Sequence, residues 1–189
     1  MGKRLEEMTL SELWELFPIF LVAHDDRWED YYREMEEKIG NVLGDTVIHR
    51  ISHIGSTAID GIWSKNIVDV LLELESDADM ESAACMLKEA GLTVMSESKN
   101  RISMNQGYTE NGFLDKVYHV HLRYAGDNDE LYFRDYMNEY PDEAAAYESL
   151  KMTLWKKYEH DRDAYTRQKT GFIREKTEAA RKKYGHKYE

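Results

Sequence analysis

The sequence predicts an α+β (α/β) protein in which a mixed β-sheet is packed with helices and followed by a C-terminal helical segment. Short apolar and β-branched runs alternate with helical periodicities up to about residue 123, and from residue 128 the helical period continues. Hydrophobic residues make up 42% and charged residues 33%, with only 2 Pro, which is typical of an ordered globular chain. The length suits one domain over residues 1–189, with a sheet core at residues 18–123 and helices at residues 128–185.

The N-terminal part is predicted to contain a helical segment, a strand and a long helix. Apolar residues recur at near-helical spacing over residues 4–17, and Pro18 ends that pattern. Residues 19–23 form a short apolar run of the length expected for a buried strand. Aromatic and aliphatic residues then repeat every three or four positions over residues 28–43, and Gly44 closes this helix.

The middle of the chain is predicted to supply most of the sheet. Runs rich in β-branched residues are bounded by glycine and polar turn residues, and one helical pattern interrupts them. Residues 106–115 contain Gly107, Asn111 and Gly112, which predict the turn of a long hairpin. We expect strands at residues 46–52, 67–74, 92–97, 101–105 and 116–123, with the helix at residues 80–90.

The C-terminal third is predicted to be three helices, at residues 131–140, 144–158 and 161–184. Pro141 fits the first turn of the second helix, because the N–H that proline lacks would have no partner at that position.

The charge and cysteine content exclude several classes of protein. The formal net charge is −12, so the average field repels polyanions, and we expect no nucleic-acid partner. Cys85 is the single cysteine and cannot form an internal disulfide, and no apolar run approaches the roughly 18 residues that a membrane span needs. The sequence therefore predicts a cytoplasmic protein without a membrane partner, and it leaves the oligomeric state open, a homo-oligomer included.

The most informative stretch joins a small-residue turn to an acidic strand. A predicted strand runs into Gly55, Ser56 and Thr57, whose N–H and hydroxyl groups are suited to phosphate, and a residue without Cβ lets the backbone approach phosphate oxygens closely. The next strand carries Asp69 between two valines. Because an isolated buried charge is costly, a metal ion or a cationic partner is the usual companion of such a carboxylate. We therefore expect a small-molecule nucleotide to bind beside Asp69, with Lys65 neutralising phosphate charge.

The turn, the spacing of about a dozen residues and the aspartate on an apolar strand resemble the signature of nucleotidyltransferase-fold enzymes. More narrowly, the sequence HIGSTA at residues 53–58 and IVDV at residues 67–70 is similar to the GrpB-like family. The likeness covers roughly residues 18–180 in order, through Asp25, Arg27, Trp28, Gly61, Lys65, residues 119–122, residues 133–136, Ala144, Tyr147 and Leu150.

The resemblance implies a nucleotidyltransferase-like mixed sheet with a glycine-serine turn at nucleotide phosphates and strand carboxylates that hold a divalent ion. By the superfamily pattern the ion would be Mg or Mn, and a nucleoside triphosphate would be the substrate. The family is a predicted nucleotidyltransferase group, and membership in it does not identify the reaction that a protein catalyses.

One position departs from that superfamily pattern. A second acidic residue is expected two positions after the first, where both carboxylates face one side of the strand, but Leu71 stands there. Glu73 has the correct parity but lies about 13 Å further along the strand. His119 and His121 alternate onto one face of another strand and are the best-placed further ligands. One carboxylate with two imidazoles suits Zn, Mn or Fe better than Mg.

The candidate residues leave alternatives open. Asp69, His119 and His121 are the candidate catalytic and metal residues, but the histidines also fit hydrogen-bonded strand positions and Asp69 fits a salt bridge to Arg50, Lys65 or Arg101. The candidate phosphate contacts are Gly55, Ser56, Thr57, Lys65 and Arg101.

Three hypotheses of function follow. The first is a metal-dependent nucleotidyltransferase that transfers a nucleoside monophosphate to an unknown small-molecule or protein acceptor. The second is a catalytically degenerate nucleotide-binding or metal-binding regulatory module. The third is a scaffold whose C-terminal helices dock a partner.

Overall fold

A five-stranded mixed sheet organises residues 3–189, which are the residues that this computed structural model describes. The strand order is β1-β2-β5-β4-β3, where β2 and β5 run parallel and the other neighbouring strands run antiparallel. The predicted combination of a mixed sheet with packed helices is confirmed. The strands are β1 (Ile48–Ile54), β2 (Val68–Leu74), β3 (Thr93–Ser98), β4 (Arg101–Thr109) and β5 (Gly112–Tyr124).

Within residues 3–189, six α-helices accompany the sheet, and short 3-10 turns lie at Leu5–Glu7 and Ser56–Ala58. The helices are α1 (Leu10–Leu16), α2 (Arg27–Leu43), α3 (Met80–Glu89), α4 (Asp129–Glu139), α5 (Pro141–Lys157) and α6 (Arg162–Tyr184). None of the helices in the described part of the chain is both long enough and apolar enough to cross a bilayer.

The two long faces of the sheet differ because side chains alternate along a strand. The face toward α2 and α3 is apolar and includes Val68, Val70, Leu72, Leu74, Tyr118, Val120 and Leu122. The opposite face, called here the polar face, carries Asp69, Leu71 and Glu73 of β2 beside His119, His121 and Arg123 of β5. The C-terminal helices cover part of the polar face, since Leu71 packs with Leu131 of α4.

The predicted strand at residues 19–23 is wrong. The segment has the alternating burial of a strand, with Ile19 and Leu21 buried and Phe20 exposed, but its neighbours are not strands. Val22 forms one isolated bridge with Ser64, and the N–H of Ile19 donates to the carbonyl of Glu159 at 2.8 Å. The alternating apolar residues are therefore buried, but the segment has no more than this one bridge to a neighbouring segment and does not form a strand.

The predicted hairpin turn at residues 106–115 is also wrong in extent. β4 continues to Thr109 and β5 starts at Gly112, so the turn itself is two residues long. The extension is held by aromatic packing, because Tyr108 and Phe113 pair across the strands and both contact Phe17, at 4.8 and 4.9 Å between ring centroids. The hairpin tip therefore packs against the N-terminal segment through Phe17.

Glu73 is fully buried at the far end of the polar face, with 0% of its side chain exposed. Arg50, its register partner on β1, donates to one carboxylate oxygen at 2.6 Å. The N–H of Gly126 and the amide of Asn128 donate to the other oxygen at 3.0 and 2.9 Å. Its charge is therefore compensated within the fold, and it is not available as a ligand for a shared ion near Asp69.

We predict that Glu73→Ala lowers the free energy of unfolding by about 3 kcal/mol, because it leaves Arg50 without its partner in a largely buried place. Urea denaturation of both proteins measures the difference. Glu75→Ala is the matched control, because Glu75 is an exposed carboxylate beside His49 and its loss is expected to cost less than about 1 kcal/mol. Equal losses in the two variants would contradict the buried-pair interpretation.

Candidate functional site

Asp69 and two histidines converge on the polar face. The parallel register places Asp69 opposite His119, with His121 two residues further along β5. One carboxylate oxygen, Oδ1, lies 3.3 Å from His119 Nδ1 and 3.2 Å from His121 Nε2. One potential ligand atom from each of the three side chains lies within 4.8 Å of the others. The predicted convergence of the three side chains is therefore present.

Burial and hydrogen bonding set the charge states of this cluster. Burial opposes ionisation of Asp69, but contacts from His119 and His121 outweigh it and hold the pKa of the carboxyl well below its usual range. Burial also lowers the pKa of His119, although Asp69 pulls in the other direction. A carboxylate beside a neutral imidazole is the form in which these groups bind metal ions.

The outer nitrogen of each imidazole is itself positioned by a hydroxyl group. His119 Nε2 lies 2.8 Å from the Tyr108 hydroxyl, which also accepts a hydrogen bond from Arg162 at 3.1 Å. His121 Nδ1 lies 3.5 Å from the hydroxyl of Ser103. Such outer partners fix the ring orientation, so that the inner nitrogen of each ring faces the Asp69 carboxylate.

Gly55 packs directly against the carboxylate of Asp69. Its φ of +72° lies in the left-handed region that favours glycine. A Cβ built on Gly55 would lie 2.4 Å from Asp69 Oδ2, so any side chain there displaces the carboxylate. The turn is also braced from behind, because the Ser64 hydroxyl donates to the carbonyl of Ser56 and Lys151 of α5 donates to Ser64. The glycine therefore shapes the site through contact with Asp69.

The cluster opens into a cleft of about 1020 Å³ between the polar face, the N-terminal segment and helices α5 and α6. Four basic side chains line it, namely Lys65, Lys151, Arg162 and Lys169. Burial, reinforced by Lys169 and Arg162, lowers the pKa of Lys65 to about 7. Burial, with Lys169 contributing, lowers the pKa of Lys151 to about 7. The cleft therefore holds basic and acidic side chains together, since Glu6, Asp69, Glu130 and Asp163 also line it, and an entering polyanion favours the protonated lysines.

The remaining predicted phosphate contacts are placed differently. Gly55, Ser56 and Lys65 line the cleft together. Thr57 is buried and its hydroxyl lies 2.9 Å from His53 Nε2, so its side chain is engaged away from Asp69.

Arg101 is the first residue of β4 and lies four residues before Asn105, the β4 residue beside His119. Its guanidinium donates twice to Asp127, at 2.7 and 2.6 Å, and it does not line the cleft. We therefore drop Arg101 from the phosphate contacts, since four residues of strand and a bidentate partner keep it from the triphosphate position. Asp69 likewise forms none of the three salt bridges that the sequence left open, because Arg50 pairs with Glu73.

Several cleft residues were not identified from the sequence. Lys151, Arg162 and Lys169 belong to helices that were predicted without any role in the site, and Tyr108 was placed in a turn. The signal that could have found Lys151 is its position one turn after Tyr147, on the apolar stripe of α5. A lysine at a core position of a helix indicates a buried amine with a specific partner.

The donor set fits a divalent ion. Two imidazoles and one carboxylate on one side are typical of sites for Zn, Mn or Fe, and the hydroxyl partners of the histidines suit that use. The fit to Mg is poorer, because Mg prefers oxygen ligands and the second carboxylate position is the buried Leu71.

Comparison with known proteins identifies relatives for most of the chain. The family model described as GrpB protein matches residues 18–179. The glutamate-rich protein GrpB of Alkalihalophilus pseudofirmus is 35% identical over 162 residues, which are 83% of this chain and 92% of that protein. The UPF0157 protein YqkA of Bacillus subtilis is 28% identical over 179 residues, which are 92% of this chain and 51% of that protein.

Two solved structures are similar in fold. The conserved protein GrpB from Enterococcus faecalis superposes with a TM-score of 0.74 at 24% identity, covering 87% of this chain and 99% of that one. The Cid1 poly(U) polymerase superposes with a TM-score of 0.50 at 11% identity, covering 78% of this chain and 46% of that one. The second likeness relates the fold to a polymerase-type nucleotidyltransferase.

We predict that Gly55→Ala lowers the affinity for Mn²⁺ at least tenfold, because the new methyl group displaces the Asp69 carboxylate. Gly61→Ala is the matched control: Gly61 has a φ of +73°, but nothing lies within 4 Å of the added Cβ. Both variants carry similar backbone strain, of about 1 kcal/mol. Isothermal titration calorimetry with Mn²⁺ distinguishes the two variants. Equal Mn²⁺ affinities of the two variants would contradict the predicted displacement of Asp69.

We also predict that stability rises with pH above neutrality through Lys151. Its folded pKa of about 7 lies below the ordinary value of 10.5, so between these values the unfolded chain binds the proton and the folded chain does not. Unfolding free energy therefore increases as pH rises from 7, and Lys151→Met reduces the slope by up to about 1.4 kcal/mol per pH unit. Urea titrations at pH 7.5 and 9.5 test this, with Lys156→Met on the exposed side of α5 as the control. Identical slopes in wild type and Lys151→Met would contradict it.

Proposed function

This chain belongs to the GrpB protein family, and we propose that it is a metal-dependent nucleotidyltransferase that moves a nucleoside monophosphate from a triphosphate to an acceptor. The observation that supports this most is the meeting of two features in one cleft. A carboxylate with two imidazoles lies on the floor, and four basic side chains line the same cleft. The fold likeness to a nucleotidyltransferase agrees with that chemistry.

Each part of the cleft has a distinct task in this proposal. Asp69, His119 and His121 hold the divalent ion, which when bound supplies positive charge to the reacting phosphate. Lys65 and Lys169 flank the ring of Tyr165, with their amines 5.7 and 4.5 Å from its centroid, and they neutralise the polyphosphate. Because the fold sets the positions of these amines and the bound polyphosphate favours the protonated form of Lys65, they stabilise the pyrophosphate as it leaves.

The turn before β2 and the helical side complete the phosphate site. The backbone of Gly55 approaches close to Asp69, so phosphate oxygens can lie beside both the turn and the ion. Arg162 reaches the Tyr108 hydroxyl and lines the same cleft, which adds a bidentate donor for phosphate.

One observation favours a second function, nucleotide binding without turnover. Leu71 occupies the place of a second carboxylate and is fully buried against Ile54 and Leu131. The site is then limited to one carboxylate, whereas two-ion transferases use several. A regulatory module that binds a nucleotide with one ion fits that restriction.

The test compares wild type with Asp69→Asn, which keeps the shape of the side chain and removes its charge. We expect wild type with Mn²⁺ to release pyrophosphate from nucleoside triphosphates in the presence of an acceptor panel, and Asp69→Asn to lose at least 100-fold in rate. Asp127→Asn is the matched control, because Asp127 pairs with Arg101 outside the cleft. Pyrophosphate release is measured by a coupled phosphate assay.

The outcomes separate the two functions. Mn²⁺ and triphosphate binding that depends on Asp69 but leads to no pyrophosphate indicates the regulatory module. Wild type and Asp69→Asn that behave alike in both binding and turnover would contradict the proposed site altogether.

A further inference from the structure

The cleft continues beyond the metal-binding cluster along one row of the sheet. Asp69, His119, Asn105 and Thr93 are register partners on the successive strands β2, β5, β4 and β3, and all four line the cleft. With strands about 4.8 Å apart, this floor extends about 10 Å from His119 to Thr93. The cleft therefore has a second arm, which points away from β1 toward β3.

The walls of this second arm are apolar. They are formed by Leu5, Leu10, Leu13, Trp14, Val94 and Met95, and this set with its floor is called the apolar arm. Among the described lining residues that belong to the N-terminal segment or to β3, Glu6 is the charged one, and it pairs with Arg4. The four basic residues of the cleft come instead from the loop before β2 and from α5 and α6. One end of the cleft is therefore mainly apolar, and the other carries the basic side chains together with Asp69, Glu130 and Asp163.

The apolar arm leaves hydrophobic side chains open to solvent on two of the elements that line it. Leu10 of α1 is 55% exposed, and Met95 and Val94 of β3 are 50% and 38% exposed. Single exposed hydrophobic residues are ordinary, but here residues distant in sequence line one cavity that joins the cluster. Covering them with an apolar ligand group gives a favourable binding energy that a polar group cannot supply.

The in-line geometry of phosphoryl transfer indicates which substrate lies at each end of the cleft. In phosphoryl transfer the attacking and leaving oxygens lie roughly in line on opposite sides of the phosphorus. The basic residues suit the polyphosphate and its leaving pyrophosphate, so the acceptor approaches from the other side of the cluster. That side is the apolar arm.

We infer that the apolar arm binds the acceptor of the proposed reaction, and that this acceptor is an uncharged alcohol with an aliphatic or aromatic body. The inference rests on the proposed function. Its hydroxyl oxygen bonds to the α-phosphorus, the bond from that phosphorus to the α,β-bridging oxygen breaks, pyrophosphate leaves, and the hydroxyl proton passes to water. An anionic acceptor is disfavoured, because Glu6 is the charged residue among the described wall residues of this arm and repels an anion.

The experiment uses the full chain with 1-butanol, 1-hexanol and 1-octanol as probes. Saturation-transfer NMR measures alcohol binding without a metal ion or a nucleotide. We expect the affinity to rise about two- to fourfold for each added methylene. With Mn²⁺ and a nonhydrolysable ATP analogue present, we expect paramagnetic broadening to be strongest at the protons beside the hydroxyl and weakest at the terminal methyl.

The matched variants change charge at exposed positions, so the fold is kept. Leu10→Glu combined with Met95→Glu is expected to weaken 1-octanol binding at least tenfold and to leave the ATP-analogue affinity unchanged. Met86→Glu, at an apolar position of α3 that is 43% exposed outside the cleft, is the control and is expected to change neither.

Each other outcome has a definite meaning. If the double variant weakens the ATP analogue instead of the alcohol, the arm holds the nucleobase and the inference is wrong. Alcohol binding that is absent, independent of chain length or broadened most at the methyl end also overturns it, even when Mn²⁺ and the ATP analogue bind. Alcohol binding in a chain that binds neither Mn²⁺ nor the ATP analogue contradicts the proposed function and removes the acceptor role with it.

Discussion

The parallel pairing of β2 with β5 is the constraint on which the candidate site depends. It sets Asp69 beside His119, and the two-residue period of a strand then brings His121 onto the same face. A shift of one residue in this register would turn the histidines into the apolar core and leave the carboxylate alone. The core against α2 and α3 opposes such a shift, because it would expose Val120 and Leu122. Hydrophobic packing on one face therefore fixes the chemistry on the other.

The polar face carries two carboxylates in different settings: Asp69 lines the open cleft, and Glu73 is buried with its charge compensated. Successive register pairs are Asp69 with His119, Leu71 with His121, and Glu73 with Arg123. At the closed end, Glu73 is satisfied by Arg50 and by amide donors under the C-terminal helices. At the open end, the hydrogen-bonding partners of Asp69 among the described residues are imidazoles, and imidazoles also bind metal ions. The buried Leu71 separates the two ends, so their charges are compensated independently.

The charge balance of the cleft differs from that of the whole chain. The chain carries 37 acidic and 25 basic residues, whereas four basic side chains from a loop and two helices balance the four acidic residues that line the described cleft. Low dielectric surroundings make each of those charges costly without an anion and effective with one. A small polyanion is thus attracted at short range, while a long polyanion such as nucleic acid meets the repulsion of the whole surface. The helices α5 and α6, which cover part of the sheet, supply three of these basic side chains.

The sequence by itself determined the mixed sheet, most helices, the glycine-serine turn, the acidic strand and the parity of His119 and His121, because local periodicity and turn chemistry encode all of these. It also indicated that Glu73 lies too far from Asp69 along the strand to share a metal ion with it. Tertiary structure alone decided that residues 19–23 form no strand, that Arg101 pairs with Asp127, and that Lys151 and Lys169 line the cleft. Those outcomes depend on which distant elements meet, and a one-dimensional pattern of hydrophobicity contains no record of which partner covers which face.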